Sequence, residues 1–518
     1  MSKQKYFILA AVTIIFAAIL RIYGITDKNM WFDEVFSWHT SQNDVKQIVI
    51  ITSGDIHPPL FYVALKYWTA AFGDSVFAMR MLSVLLNMLS IIFLLKICKR
   101  LHLDEKQKLF ALFLYAITPL NIYYSQEIRM QSLSLFLTMG SVYFFIRSLD
   151  KNNWKTSLCY IVFTFLSFYT HYFTILIFAA QIIYVVYSYI KKEFDKKILL
   201  RHIINFILPV ILFTPWIKVL LEQVSKGQPW RKQQDIFQVF VEFLKYFNDF
   251  IFSTYHNFAT LWTEIIIYTF SVVLISSIVY FIFKLFKNEQ DQQNEKYSRY
   301  KLLAFLISFP LIFAFILSFR QSIIFSRYLS TLVPYICIII PLVIYKITAE
   351  KRKYLVAALI TFMLFCGLYN NYYNSWKYND YRDVINFIRD NSKENEKQEY
   401  KEDSREYPPN TSNDNLKKNY LLIADPHYLG WVIKYESLHS NNSINKPEVF
   451  GWDLPMQMDS LKERTDINNL WVVLDYSTMD KRGYEESDLD LQTLGYKKIT
   501  EKYFYIYPEK VKVAEYKK

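Results

Sequence analysis

The sequence predicts a polytopic α-helical membrane protein with a small α/β domain at its C-terminal end. Hydrophobic residues make up 53% of the 518 residues, and only 10 residues are glycine. Several apolar runs approach the roughly 20 residues that a helix needs to cross a bilayer core. After residue 370 the chain turns polar, and short strand-like runs replace the long apolar ones. These features exclude an ordinary soluble protein of roughly two to four domains.

About eleven apolar runs are predicted to span the membrane. The segment 57–72 is apolar but too short to cross, so a juxtamembrane helix in the outer interface suits it better. With the N-terminus inside, eleven crossings place everything after residue 370 outside. The predicted spans are residues 6–23, 81–98, 108–124, 131–147, 156–172, 174–190, 202–221, 262–284, 302–319, 330–346 and 353–370.

The formal net charge of +12 is explained by topology. Lysine and arginine crowd alternate connections between the apolar runs, for example residues 96–108, 191–201 and 284–301. The connections between these contain few basic residues. This alternation is the positive-inside pattern of a cytoplasmic (plasma) membrane protein. It gives no reason to expect nucleic acid as a partner.

Two domains are predicted, with residues 1–370 in the membrane and residues 371–518 in the extracytoplasmic α/β domain. The first outer loop, residues 24–80, holds charges that would each cost roughly 2.5–3.5 kcal/mol at the bilayer centre. After residue 370, "YRDVINFIRDN" has the pattern of an amphipathic helix. The runs "NYLLIAD", "LWVVLDYS" and "KYFYIYP" read as strands. Residues 391–417 are polar and charged, which predicts a flexible loop.

The segment "GDIHPPLFY" sets an acid, an imidazole and two prolines before an apolar run. Neither Pro58 nor Pro59 fits a helix interior, but both are tolerated at a helix start. The two prolines therefore predict a rigid entry that holds Asp55 and His57 at the mouth of a helix, on the outer face.

Other outer connections bring further ionisable side chains to the same face. Each has a plain alternative, such as an interface anchor, an aromatic belt or a structural ion pair. The adjacent carboxylates of "WFDEVFSW" have no basic neighbour, which favours a functional role. The candidate residues are Asp33, Glu34, Asp55, His57, Glu127, Arg129, His171, Arg327 and Tyr328.

These motifs resemble those of the GT-C glycosyltransferases of family 39. The segments "WFDEVFSW", "GDIHPPLFYVALKYW", "FGDSVFAMRMLSVL", "YYSQEIRMQSLSL" and "SRYLSTLVP" occur in that order. That family includes protein O-mannosyltransferases and the aminoarabinose transferases that modify lipid A. The resemblance covers about residues 1–190 well and the later spans loosely. Lipid A-modifying relatives often carry a lysine in the H-P-P segment, whereas His57 here is followed directly by Pro58.

The resemblance implies a polyprenyl-phosphate sugar donor and an acidic pair that contains the catalytic aspartate. It also implies inversion of the anomeric centre. A carboxylate takes the proton of the incoming hydroxyl, and cations stabilise the leaving phosphate. We therefore expect Asp33 as the base with Glu34 in support, and Arg129 and Arg327 at the phosphate. The remaining expected donor-binding residues are His57, Glu127 and Tyr328, with Asp55 and His171 as further candidates.

A divalent cation is left open, because Asp33, Glu34, Asp55 and His57 are all potential ligands at a spacing that matches no metal signature. The acceptor is also left open among protein, lipid and glycan, and membrane lipids are expected partners. Two other functions remain: a lipid-linked sugar flippase or transporter, and a polymerase of lipid-linked glycans. Transporters usually place ionisable groups near the midplane, whereas this sequence places them at the outer face.

Overall fold

The computed structural model describes most of the chain and divides it into two compact units. The first unit is Met1–Ile25 with Thr40–Asn374, and the second is Thr26–His39 with Ser375–Lys518. The described residues are 1–27, 30–150, 153–194, 196–226, 233–252, 261–287, 295–347, 352–375, 383, 384, 386–388, 390, 391, 420–425, 435, 448–450, 469–475, 491–493, 495–506 and 509–517. The predicted loop 391–417 lies outside them beyond residue 391.

The first unit is all helical. It contains the last two residues of α2 (Phe32–Ser41), whose other eight residues belong to the second unit, and a 3-10 turn at Ser330–Leu332 precedes α16. The other helices are α1 (Lys3–Ile22), α3 (Val45–Gly54), α4 (Leu60–Phe72), α5 (Val76–Arg100), α6 (Glu105–Ile117), α7 (Pro119–Ser125), α8 (Gln131–Asp150), α9 (Trp154–Phe168), α10 (Thr174–Ile190), α11 (Lys196–Lys226), α12 (Ile236–Phe252), α13 (Leu261–Lys287), α14 (Glu295–Ser318), α15 (Ser326–Leu329), α16 (Val333–Ile347) and α17 (Lys353–Ser375).

Eight helical stretches in the described part of the chain are long and apolar enough to cross a membrane. They correspond to eight of the eleven predicted spans. The other three, residues 108–124, 156–172 and 174–190, coincide with shorter helices: α6 with α7, α9 and α10. The juxtamembrane helix expected at 57–72 is α4. Helix α12 was not predicted.

Burial distinguishes the central helices from the peripheral ones. The apolar stretch Ser326–Lys346 is 94% buried within the protein, whereas those of α1, α11 and α13 are 22–28% buried. The peripheral helices expose large apolar side chains such as Phe7, Ile204 and Ile266. In a membrane protein such faces meet lipid tails, so α16 forms the centre of a bundle and the others its lipid-facing surface.

A helix break at Thr118-Pro119 is stabilised by a buried arginine. Pro119 has no N–H, so the last carbonyls of α6 lose their helical donors. Arg21, fully buried at the end of α1, donates from Nη1 to Ala116 O (3.1 Å) and from Nη2 to Tyr115 O (3.2 Å). Its Nε also donates to Asn87 Oδ1 at 2.8 Å. The Arg21 guanidinium thus supplies hydrogen-bond donors to the carbonyl groups at the end of α6.

A close helix contact requires glycine at residue 367. A Cβ atom at this position would overlap the carbonyl oxygen of Ile251 and lie 2.7 Å from Phe252 Cα. Both are backbone atoms at the end of α12, which cannot rotate away as a side chain would. Gly367 therefore allows α17 to pack directly on the C-terminal end of α12.

The second unit contains a mixed five-stranded sheet. Its strands are β1 (Tyr420–Asp425), β2 (Glu448–Phe450), β3 (Asn469–Asp475), β4 (Lys497–Ile506) and β5 (Glu509–Lys517), in the order β2-β1-β3-β5-β4. Strand β1 pairs in parallel with β2 and β3, and β5 pairs antiparallel with β3 and β4. Strands β1, β3 and β4 match the three predicted strands. The small C-terminal α/β domain is therefore confirmed, with β2 and β5 added.

The amphipathic helix predicted after residue 380 contributes to the core of the second unit. Residues 383, 384, 386–388, 390 and 391 are helical. Val384 and Ile388 are both buried, as predicted for one face of the helix. Phe387 makes an edge-on contact with Trp471 of β3, with ring centroids 5.9 Å apart. The helix thus packs its apolar face on the sheet.

Candidate functional site

One end of the helix bundle collects most of the predicted site residues. Asp55 and His57 lie between α3 and α4, and Glu127 and Arg129 lie in the turn between α7 and α8. His171 lies between α9 and α10, and Arg327 and Tyr328 lie in α15. All belong to the first unit. Because these segments all join neighbouring helices at the same end, residues up to about 270 positions apart come to one face.

Asp55 and His57 form a direct pair. His57 Nδ1 lies 2.9 Å from Asp55 Oδ2, with the two side chains 13% and 30% exposed. Burial would raise the pKa of the Asp55 carboxyl. The hydrogen bond and charge of His57, together with the Ile56 amide and the Arg129 charge, reverse this effect and lower the pKa below its usual value. Asp55 is thus a carboxylate at neutral pH and orients the His57 ring.

The two prolines fix this pair against the neighbouring helices. Pro59 occupies the N-cap of α4, and Leu60 N donates to Tyr169 O at 3.0 Å. Tyr169 ends α9 and precedes His171 by two residues. The segment that contains Asp55 and His57 is therefore held against the α9–α10 turn, which carries His171.

An aromatic row continues from His57 to α15. The His57 and His171 rings are 6.3 Å apart, and the His171 and Tyr328 rings are 5.8 Å apart. Tyr328 stacks on Phe173 with centroids 4.7 Å apart and planes 3° from parallel. His171 and Tyr328 are both buried. The row offers a rigid surface with polar edges, a combination that suits contacts with a sugar ring.

Arg129 is the buried cation nearest to the Asp55–His57 pair. Only 3% of Arg129 is exposed. Its Nη1 donates to the Tyr62 hydroxyl of α4 at 3.4 Å, and its charge acts on Asp55. The burial of this guanidinium and its contact with Tyr62 limit its orientation. Its planar donor fork matches phosphate oxygens.

A second polar group surrounds Arg327. Its guanidinium lies 5.5 Å from the Tyr328 ring centroid and 5.7 Å from that of Phe325. The neighbouring Ser326 hydroxyl donates to Asp249 of α12. The Tyr124 side chain interacts electrostatically with Glu127, Asp249 and Arg327 together. This brings Glu127, the second predicted acid of this face, into the same group as Arg327.

Helix α11 is joined to this end of the bundle by Gln223. Its Nε2 donates to Thr52 O at 2.8 Å, and its Oε1 accepts from the Tyr172 hydroxyl. Trp216 Nε1 donates to the same hydroxyl at 2.8 Å. Burial raises the pKa of Tyr172 to about 12, so the hydroxyl stays protonated and keeps donating at neutral pH. The network fixes α3 and the α9–α10 turn on both sides of Asp55.

The predicted catalytic pair belongs to the second unit. Asp33 and Glu34 occupy the first turn of α2, where carboxylates complement the helix dipole. Glu34 is fully buried and accepts from Trp31 N at 3.4 Å, whereas Asp33 is partly exposed. Four residues on, Trp38 packs edge-on against Tyr435, with ring centroids 5.0 Å apart. The two acids therefore differ in accessibility.

Sequence reasoning missed Tyr62, Tyr172, Gln223 and Asp249 in this group. A carboxylate in an otherwise apolar helix, "YFNDFIF", was the available signal for Asp249. Tyrosines in a chain with 41 of them carry no such signal. Within the described residues, no three His, Cys, Asp or Glu side chains form a group that could hold a metal ion.

One protein-family model matches part of the chain. Residues 56–217 match the family model described as dolichyl-phosphate-mannose-protein mannosyltransferase. This stretch begins beside His57 and ends just after Trp216, so it contains Arg129 and His171. No curated protein matches the chain in sequence.

Solved structures of three membrane proteins are similar. Two are of ArnT from Cupriavidus metallidurans: the apo form has 10% identity and a TM-score of 0.52, and the form bound to undecaprenyl phosphate has 8% and 0.50. In both, the match covers 99% of this chain and 98% of ArnT. The Archaeoglobus fulgidus oligosaccharyltransferase has 12% identity and a TM-score of 0.52, with 92% and 70% coverage.

The S. cerevisiae protein O-mannosyltransferase Pmt1-Pmt2 complex, solved with its sugar donor, shares 17% identity over 42% of this chain. The matched part spans about a third (35%) of the yeast chain, with a TM-score of 0.34. The motifs, the family match and the full-length structural likeness to ArnT agree with one another. The chain is therefore a multi-pass membrane protein with the GT-C glycosyltransferase fold, as its motifs predicted.

Proposed function

We propose that this protein is an inverting glycosyltransferase that moves a sugar from a polyprenyl-phosphate donor to an acceptor hydroxyl. The reaction takes place at the outer face of the cytoplasmic membrane. The observation that carries the proposal is the group formed by the Asp55–His57 pair, Arg129 and Arg327 at one end of a bundle with the GT-C fold. A lipid-linked donor suits this position because its tail stays in the bilayer while its phosphate reaches the helix ends.

The leaving group defines the role of the arginines. As the bond between the anomeric carbon and the phosphate oxygen breaks, negative charge grows on the phosphate. Fixed guanidinium groups in a buried site stabilise that charge more strongly than water does. We assign this role to Arg129 and Arg327. His57, oriented by Asp55, serves as a donor to the same phosphate, and Glu127 and Tyr328 contribute to the surface that binds the donor.

The incoming hydroxyl requires a base on the opposite face of the sugar. In a single displacement, the acceptor oxygen bonds to the anomeric carbon, the phosphate leaves with the bonding electrons, and a carboxylate takes the hydroxyl proton. We assign the base to Asp33 and a supporting role to Glu34. The partial exposure of Asp33 and the burial of Glu34 support this division. His171 is proposed as a further contact with the donor.

The domain assignment follows from this function. We propose residues 1–370 as the catalytic membrane domain and residues 371–518 as the extracytoplasmic domain that selects the acceptor. Exposed turns at this end carry few basic residues, whereas the opposite end is crowded with them. That asymmetry favours an outer location for the site under the positive-inside rule.

The test is sugar transfer from a panel of synthetic polyprenyl-phosphate sugars by purified protein, comparing wild type with Asp33→Asn. We expect the wild type to use one donor and Asp33→Asn to transfer it at least about 100-fold more slowly, the effect of losing a general base. The matched control is Asp44→Asn in the same loop. Asp44 caps α3 through Gln47 N at 2.8 Å, and asparagine caps helices equally well.

Two outcomes would count against the proposal. Equal rates for Asp33→Asn and Asp44→Asn would remove Asp33 as the base, and Glu34→Gln would then be compared in the same assay. If no donor in the panel is consumed but the protein moves labelled polyprenyl-phosphate sugar across vesicle bilayers, the protein is a flippase instead.

A further inference from the structure

A large basic cavity lies at the end of the bundle opposite to the candidate site. It has a volume of about 1280 Å³. The C-terminal ends of α5 and α8 line it, together with the residues that follow α10 and the first turns of α11 and α14. Helix α10 begins three residues after His171 and ends one residue before Lys191. Its 17 residues separate the two places by about 25 Å along the helix.

The cavity wall carries a large excess of positive charge. Six cationic side chains line it: Lys96, Lys99, Arg100, Lys191, Lys192 and Arg299. Two carboxylates accompany them, and both are engaged by arginine or lysine. Asp150 pairs with Arg100 at 2.6 Å and with Arg299, and Glu193 pairs with Lys301. The remaining lysines therefore face the cavity as uncompensated charge, within the described residues.

The backbone at the cavity is unusual in two places. His102 (φ 54°) and Lys192 (φ 58°) are the two non-glycine residues with positive φ in the described part of the chain, and both line the cavity. Each follows a helix end closed by a 6→1 bond: Leu103 N to Cys98 O at 3.1 Å, and Glu193 N to Ser188 O at 2.8 Å. Glycine is the usual residue there, and a side chain costs about 1 kcal/mol or more.

A basic residue at a helix C-terminus is favourable through the helix dipole, which explains each position singly. The helix dipole does not explain why both residues, His102 and Lys192, line the same cavity. Because the backbone is fixed at each turn, the His102 and Lys192 side chains are held beside the cavity by the helix ends.

The wall is also partly apolar, which limits the kind of anion that it fits. Leu149, Phe194 and Ile198 line the cavity beside the cations, and the Lys96 ammonium lies 5.3 Å from the Tyr143 ring centroid. Nearby Ile190 is 69% exposed, on a helix face that meets lipid. A soluble phosphate needs only the charges. A lipid needs charge for its head group and an apolar surface that leads to it.

We propose that this cavity binds the phosphate-bearing head group of an anionic membrane lipid, of the phosphatidylglycerol class. The lysines contact the phosphate, and the exposed faces of α10 and α11 contact the acyl chains. Basic pockets between transmembrane helices on the cytoplasmic side bind such head groups in general. This site is separate from the donor site and does not depend on the proposed reaction.

The experiment is native mass spectrometry of the purified protein in detergent with added phosphatidylglycerol or phosphatidylcholine. The wild type is compared with the triple variant Lys99→Gln, Lys191→Gln, Lys192→Gln. Each lysine near an anionic head group contributes about fivefold in affinity, so the triple variant should bind phosphatidylglycerol about 100-fold more weakly. The control triple replaces Lys5, Lys284 and Lys287, which are exposed, at the same end of the bundle and outside the cavity.

A second variant keeps the test valid if the triple variant fails to fold. Lys192→Gly removes one cation and also relaxes the positive φ, so the fold is retained or stabilised. We expect about fivefold weaker phosphatidylglycerol binding. Three results would overturn the proposal: lipid binding unchanged in the cavity variants, an equal loss in the control triple, or binding of inorganic diphosphate with no preference for phosphatidylglycerol over phosphatidylcholine. Donor transfer by the same variants should remain at the wild-type rate.

Discussion

Arg129 offers the sharpest test of the phosphate-binding assignment. It is 3% exposed, donates to Tyr62 at 3.4 Å and interacts with Asp55. A hydrogen bond to a charged group contributes about 1.5–3 kcal/mol, and the contact with the leaving phosphate grows stronger as charge develops. We therefore expect Arg129→Gln to lower kcat/KM for the donor by about 10- to 100-fold. Arg129→Lys keeps the charge but loses the planar fork, so its loss should be partial.

The assay is steady-state transfer from the active donor, with kcat and KM determined separately for each variant. The control is Arg320→Gln, because Arg320 is an exposed arginine at the same end of the bundle. Tyr62→Phe removes the hydroxyl that accepts the long 3.4 Å contact from Arg129 and should change kcat/KM by less than about threefold.

The competing explanation is that Arg129 only stabilises the fold by balancing Asp55. A structural role predicts that Arg129→Gln lowers the melting temperature and that Arg129→Lys restores both stability and activity. Phosphate binding predicts weaker inhibition by free polyprenyl phosphate and a lower kcat in a protein that is still folded. If Arg129→Gln and Arg320→Gln reduce kcat/KM equally, the assignment is refuted.

Three further perturbations test other parts of the structure. Asp55→Asn should lower transfer about tenfold at pH 7 through misorientation of His57. Because the folded pKa of Asp55 is depressed, its carboxylate stabilises the fold above the unfolded pKa of about 3.9, and this contribution is lost as the pH falls below that value. The difference in melting temperature between wild type and Asp55→Asn should therefore shrink on going from pH 5 to pH 3. Arg21→Met removes the Arg21 donors from the carbonyls of Ala116 and Tyr115, although Tyr115 O still accepts from Asn121 Nδ2 at 3.0 Å. The change should cost about 2–4 kcal/mol, measured by unfolding in denaturing detergent, whereas a wild-type stability would refute the role given to Arg21 at the helix break. Gly367→Ala should cost about 1–3 kcal/mol because it meets backbone of α12, and an unchanged melting temperature would show that α12 and α17 separate freely.

The sequence alone predicted the membrane class and most helices, because long apolar runs depend only on composition along the chain. It also predicted which connections carry ionisable groups. Two of the predicted spans, 108–124 and 156–172, run past the end of a helix for a local reason, whereas residues 174–190 coincide with α10. Apolarity continues through Thr118-Pro119 and past Phe168, whereas the helices end there.

Only the tertiary structure decided which polar groups meet. The contact of Arg21 with the broken end of α6, the pairing of Ser326 with Asp249 and the link from Gln223 to Thr52 each join residues that are 77 or more positions apart. The same holds for the basic cavity. The sequence explained its lysines and arginines by membrane topology alone, whereas the structure shows that they line one cavity, beside two turns with positive φ. Helix periodicity determines which face a residue occupies, but packing between distant helices determines what that face contacts. For this reason the sequence predicted the candidate residues, while the Arg129–Tyr62 and His171–Tyr328 contacts emerged only from the folded bundle.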